Sequence, residues 1–143
     1  LEAIVKFKNN PRWLETNMVW TLFCAEDELE GEVIVSYGDI VYSRNILKEL
    51  LKSTADIAVT IDKDWENYWR ARNDDPLDDA ETLKLGKDGL IIEIGKKPKS
   101  LDEIEGQYMG LMKFSPAGNV VVVLNSFVVL LEAPIVKVPV RAL

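Results

Sequence analysis

The stretch Glu32-Val33-Ile34-Val35-Ser36-Tyr37-Gly38-Asp39 sets the strongest constraint on how this chain can fold. Three β-prone apolar residues in an unbroken run suit a strand covered on both faces, as in the sheet of an α/β protein. Asp39 then falls at the strand's carboxyl end, where ligands gather in open α/β sheets. A carboxylate there can hold a divalent cation, and Gly38 lets a ligand come close to the backbone. The residues alone leave a plain strand-to-helix turn equally open.

The flanking segments alternate in the same sense. Ala3–Phe7 reads as a strand closed by Asn9-Asn10-Pro11, and Thr16 as the N-cap of a helix whose face runs through Val19, Leu22, Phe23, Glu26 and Leu29 up to Gly31. Ser43 opens a second helix with an Ile46, Leu47, Leu50, Leu51 stripe, and Ala55–Ile61 reads as a further strand ending at Asp62. This βαβαβ order predicts parallel strands joined by right-handed crossovers. Trp65, Tyr68 and Trp69 share one face of a third helix, which Asn73-Asp74-Asp75-Pro76 ends. Thr82–Leu85 and Leu90–Ile94 around Asp88-Gly89 make a hairpin signal, Ser100-Leu101-Asp102-Glu103 a capping box, and Tyr108–Phe114 a last strand. Val120–Leu131 is an apolar, β-prone stretch that must be covered by the same sheet or by a partner.

What the chain lacks narrows the chemistry. It contains no histidine, which excludes Ser-His-Asp and Cys-His sites and the commonest zinc sites. Carboxylates, lysine and tyrosine remain for acid–base or metal work. A net charge of −7 disfavours DNA or RNA as a partner, because non-specific binding needs clustered Lys and Arg on phosphates. The single cysteine, Cys24, forms no internal disulfide and fits a reducing, cytoplasmic setting. No uncharged run of 18 residues points to a membrane span, and 143 residues suit one domain. The start at Leu1 suggests a processed product or a fragment.

Taken in order, Asn10-Pro11-Arg12-Trp13, Thr16-Asn17, Tyr37-Gly38-Asp39-Ile40-Val41-Tyr42, Asp62-Lys63-Asp64-Trp65, Glu93-Ile94-Gly95-Lys96-Lys97 and Gly106-Gln107-Tyr108-Met109-Gly110-Leu111-Met112-Lys113-Phe114 resemble the nucleotidyltransferases of the sugar-nucleotide type. The branch they are similar to is that of the phosphocholine or aminoethylphosphonate cytidylyltransferases. The resemblance implies a Rossmann-like, three-layer αβα fold of the GT-A kind, with a mostly parallel sheet and an inserted β-hairpin. It implies a reaction of CTP with a small phosphorylated or phosphonate acceptor, giving a CDP-product and pyrophosphate. Asp39 would be the Mg²⁺ carboxylate, and Thr16, Asn17 and Gly38 would bind the nucleotide. Trp65, Tyr68, Trp69, Glu105 and Tyr108 would line the acceptor pocket, the rings holding a quaternary ammonium by cation–π contact. The same three rings also fit a helix's packing face.

The resemblance covers residues 3–118 and departs from the family at both ends. No glycine precedes Gly31, where the family places a glycine-rich triphosphate loop, and Glu132 is the one carboxylate of the apolar tail. Residues 1–118 are therefore expected to be a partial nucleotidyltransferase domain, with 119–143 a tail packed on it or on a partner chain. Weak or no turnover by the chain alone is expected. The alternatives are a non-catalytic binding or self-assembling remnant, such as a homodimer or other oligomer, and one half of a split enzyme.

Overall fold

A computed structural model describes residues 4–117 and, as backbone, residues 135–140. The order is α1 (Met18–Phe23), β1 (Val33–Ser36), α2 (Arg44–Lys52), β2 (Ile57–Asp62), α3 (Trp65–Arg72), β3 (Leu83–Leu85), β4 (Ile91–Ile94), β5 (Gln107–Phe114) and β6 (Ile135–Val140), with three short 3₁₀ turns between. The strands expected at 120–131 lie outside the described residues.

The sheet order is β1-β5-β2-β6. Strand β5 runs antiparallel to both of its neighbours, with Phe114 opposite Val33 on one side and Ile57 on the other. Only the β2–β6 pairing is parallel. The mostly parallel sheet is thus corrected: β1 and β2 point the same way, but a late strand of opposite direction separates them. No crossover joins adjacent parallel strands there, because the partner of both arrives from residues 107–114.

The two faces of β2 divide the core. Ile57, Val59 and Ile61 pack with Phe114 against Leu83 and Ile91 of the hairpin. Ala58 and Leu111 pack on the other face against Ile46 and Leu50 of α2. Among the described residues the layers are therefore helix, mixed sheet and hairpin, not helix on both faces. Burying these eight Ile, Val and Leu side chains at about 1.5–3 kcal/mol each dominates the local energetics. Lys113, 3% exposed, sits on the α2 side of β5. Its ammonium donates to Ser53 O at 2.5 Å and pairs with Glu32 at 2.9 Å, tying the end of α2 to the residue just before β1.

Two local expectations fail for one physical reason. Residues 4–8 are not a strand, and Ile4, Val5 and Phe7 are 86%, 70% and 93% exposed. Ile34 in β1 is also exposed, so that run is not covered on both faces. A β-prone composition yields a buried strand only where a neighbour covers it, and these segments have no such neighbour among the described residues. The first helix is shorter than its apolar face suggested, and its N-cap is Asn17, whose Oδ1 accepts from Trp20 N at 3.1 Å. The hairpin forms as expected, with Gly89 at φ +81° in its turn.

Candidate functional site

The strand ends collect the chemistry. Tyr37 leaves β1 by donating its N–H to Gly110 O at 2.8 Å, and Gly38 and Asp39 follow as an exposed turn. Opposite, β5 bulges. Val59 faces Met112 and Ile61 faces Tyr108, so two residues of β2 step past four of β5. The bulge frees the carbonyl of Leu111, which accepts from the buried Thr60 hydroxyl at 3.0 Å. Gly110 takes φ +83° in this bulge, and a Cβ there would stand 2.7 Å from Tyr37 Cδ2. Glycine is required at 110 on both counts, left-handed backbone and a ring laid on the Cα.

Tyr37 and Tyr108 meet edge to face, centroids 5.7 Å apart. The Tyr108 hydroxyl is sealed from solvent and makes no hydrogen bond of standard geometry; its polar neighbour is the Tyr37 hydroxyl. Burial first, and then the Tyr37 ring and hydroxyl, push the Tyr108 phenol well above the usual tyrosine range. Burial, then the carboxylates of Glu81 and Asp39, push Tyr37 up as well, with the neighbouring Tyr108 hydroxyl acting in the opposite sense. The negative charges of Glu81 and Asp39 both act on the Tyr37 phenol. Glu81 is held by Gln107, 6% exposed, whose side-chain amide donates to Glu81 O at 2.6 Å and accepts from Glu81 N at 3.3 Å.

The other expected residues are dispersed. Thr16 donates to Arg12 O at 2.8 Å and accepts from Asn10 Nδ2 at 2.9 Å, and with Asn17 it forms the entry to α1. Glu105 is exposed just before β5, and its N–H donates to Leu83 O at 2.8 Å. Trp65 is 4% exposed and packs with Ala80 and Ile104. Tyr68 and Trp69 already carry a cation: the Arg72 guanidinium lies 5.2 Å and 6.0 Å from their ring centroids. Lys97 binds the carbonyls of Leu77 and Asp78, and Lys96 pairs with Glu93 at 2.6 Å. Tyr37, Glu81 and Gln107 were not singled out from sequence. Tyr37 adjoins Asp39 and could have been; Glu81 and Gln107 meet only through the fold.

Among the described residues no three carboxylate or thiolate groups cluster as a metal cage. A magnesium ion in nucleotide chemistry takes one or two protein carboxylates and completes its shell with phosphates and water. A single exposed Asp39 at a strand end fits that donor role. A cavity of about 10 Å³ beside Ile46 and Thr60 is too small for anything beyond one water.

The architecture is that of the nucleotidyltransferases: the inositol-1-phosphate CTP transferase from T. maritima aligns with a TM-score of 0.66 at 16% identity, over 92% of this chain and 55% of that one. A CTP:phosphoglutamine cytidylyltransferase of Campylobacter jejuni is 45% identical over 118 residues, 78% of this chain. The chain is similar to nucleotidyltransferases over the part of them that it matches. It spans about half the length of these relatives, 46% of the Campylobacter protein. No family model matches the chain. Among the described residues no helix is long and apolar enough to cross a membrane.

Proposed function

We propose that the chain carries part of the catalytic site of a CTP-dependent cytidylyltransferase acting on a small phosphorylated or phosphonate acceptor. The observation that carries this is the 45% identity to a protein named for that reaction. In the reaction an acceptor oxygen attacks the α-phosphorus of CTP, the bond to the β-phosphate oxygen breaks, and pyrophosphate leaves. Positioning and charge neutralisation do most of the work in such a transfer. When bound, Mg²⁺ supplies the neutralising charge at the phosphates, and Asp39 is the residue that would hold it. Gly38 leaves the backbone open beneath the nucleotide, while Thr16 and Asn17 set the loop on the base and ribose side.

The acceptor is proposed to carry an amine or ammonium besides its phosphorus group, as phosphocholine, aminoethylphosphonate and a phosphoglutamine all do. Glu81, whose backbone Gln107 fixes, supplies negative charge near Tyr37 for such a cation.

The test is CTP binding by calorimetry with and without Mg²⁺, on the chain and on Asp39→Ala, followed by pyrophosphate release with each acceptor. We expect Mg²⁺-dependent CTP binding that weakens at least about tenfold in the variant, about 1.4 kcal/mol. Equal affinity in both proteins would sink the assignment of Asp39.

A further inference from the structure

Tyr37 is the last residue before Asp39 that the sheet holds. Its N–H donates to Gly110 O at 2.8 Å. Its ring lies so close to the Gly110 Cα that a Cβ there would meet Cδ2 at 2.7 Å and Cγ at 2.9 Å. Past it, Gly38 and Asp39 are exposed, and a Cβ on Gly38 would meet nothing within 4 Å. The course of the turn is therefore set where Tyr37 is set. One hydrogen bond fixes the backbone of Tyr37, and Gly110 walls one side of its ring; the ring needs a second wall.

Tyr108 is that wall. Its ring meets the Tyr37 ring edge to face, with 5.7 Å between centroids and 83° between planes. Behind it, Tyr108 packs on the core of Ile57, Val59 and Ile61, and in the ladder it stands opposite Ile61. Contacts thus run without a break from the core through Tyr108 to Tyr37. The Tyr108 hydroxyl takes no part in them. It is sealed from solvent and makes no hydrogen bond of standard geometry, and a buried hydroxyl left so costs stability. What the residue offers its neighbours is the ring.

We infer that Tyr108 is a positioning residue: its ring, backed by the core, holds the Tyr37 ring on Gly110 and so sets where Gly38 and Asp39 stand, and its hydroxyl does not touch the acceptor. As a statement about nucleotide binding, this rests on the reading of Asp39 given above. The role needs an aromatic ring and no hydroxyl. Phenylalanine serves it; an aliphatic side chain, which lacks the edge-to-face contact, does not.

The test compares wild type, Tyr108→Phe and Tyr108→Leu, each well below its melting temperature, by calorimetry with CTP and Mg²⁺ and by NMR. We expect Tyr108→Leu to weaken binding at least tenfold, to lose the nuclear Overhauser contact between Gly110 Hα and Tyr37 Hδ, and to move the Asp39 amide resonance. Tyr108→Phe should restore all three to wild-type values and melt no lower than wild type. Should Tyr108→Leu fail to fold, Tyr108→Met takes its place, since it keeps an apolar side chain of similar length without a ring. Loss of affinity in Tyr108→Phe overturns the inference, because the hydroxyl would then act on the ligand. A ringless variant that melts lower yet keeps its affinity and its Gly110–Tyr37 contact also overturns it, leaving Tyr108 a packing residue only. If wild type itself binds no CTP, the reading of Asp39 fails. The Overhauser contact and the Asp39 resonance then still decide whether Tyr108 positions the turn.

Discussion

The ring of Tyr37 rests directly on the Cα of Gly110, which is why the bulge in β5 and the turn at Gly38-Asp39 cannot be changed independently. An alanine at 110 would meet the ring at 2.7 Å and would also occupy φ +83°. Gly110→Ala is expected to cost about 2–4 kcal/mol, part of it the strain of a non-glycine residue in that region. Urea denaturation measures it. If Asp39 serves the nucleotide as proposed, CTP affinity should fall with stability, because the displaced ring carries the Gly38-Asp39 turn with it.

Lys113 is buried while its partner Glu32 is half exposed. Lys113→Met keeps the volume but strands the Ser53 carbonyl at the end of α2, and a loss of about 2–4 kcal/mol is expected. Glu32→Gln should cost about 1 kcal/mol, since an amide oxygen can still accept from the ammonium. Comparable losses in the two thermal melts would contradict this ranking.

The tyrosine pair makes stability depend on alkali. Both phenols have folded-state pKa values raised above the ordinary tyrosine value of 10.0, chiefly by burial. Their contribution is complete below pH 10 and is lost as pH rises from there, because the unfolded chain releases those protons first. Wild type should destabilise above pH 10 more steeply than Tyr37→Phe with Tyr108→Phe. Tyrosinate absorbance should show two groups that ionise late.

Arg72 occupies the aromatic faces of α3. An exposed cation–π contact contributes about 0.5–1 kcal/mol, so Arg72→Ala should lower stability by no more than that. Free choline should quench tryptophan fluorescence saturably in the variant and not in wild type. Saturable quenching in wild type would mean that the rings accept a second cation beside Arg72.

What could be read from the residues was local. Asp88-Gly89 dictates its own hairpin, and the Ile46–Leu50 stripe its own helix face, because turn chemistry and periodicity act within a few residues. Gly38-Asp39 was visible for the same reason. The order of the sheet was not. Val33–Val35 and Ile57–Ile61 carry the same β-prone pattern whether they pair with each other or with β5, far later in the chain. The rings of Trp65, Tyr68 and Trp69 announced a shared face but not its occupant. Arg72, four residues after Tyr68, was the available signal that the helix supplies its own cation. Glu81 and Gln107 come together across 26 residues, which no spacing rule anticipates.

The placement of β5 also times the making of this protein. Val33 waits for Phe114, 81 positions later, and Ile57 waits for the same residue. At about 5–20 residues per second of synthesis, β1 spends roughly 4–16 s without its partner. The growing chain therefore carries β1 and β2 unpaired through that interval, and a chaperone that shields them would govern how much of it reaches the folded state.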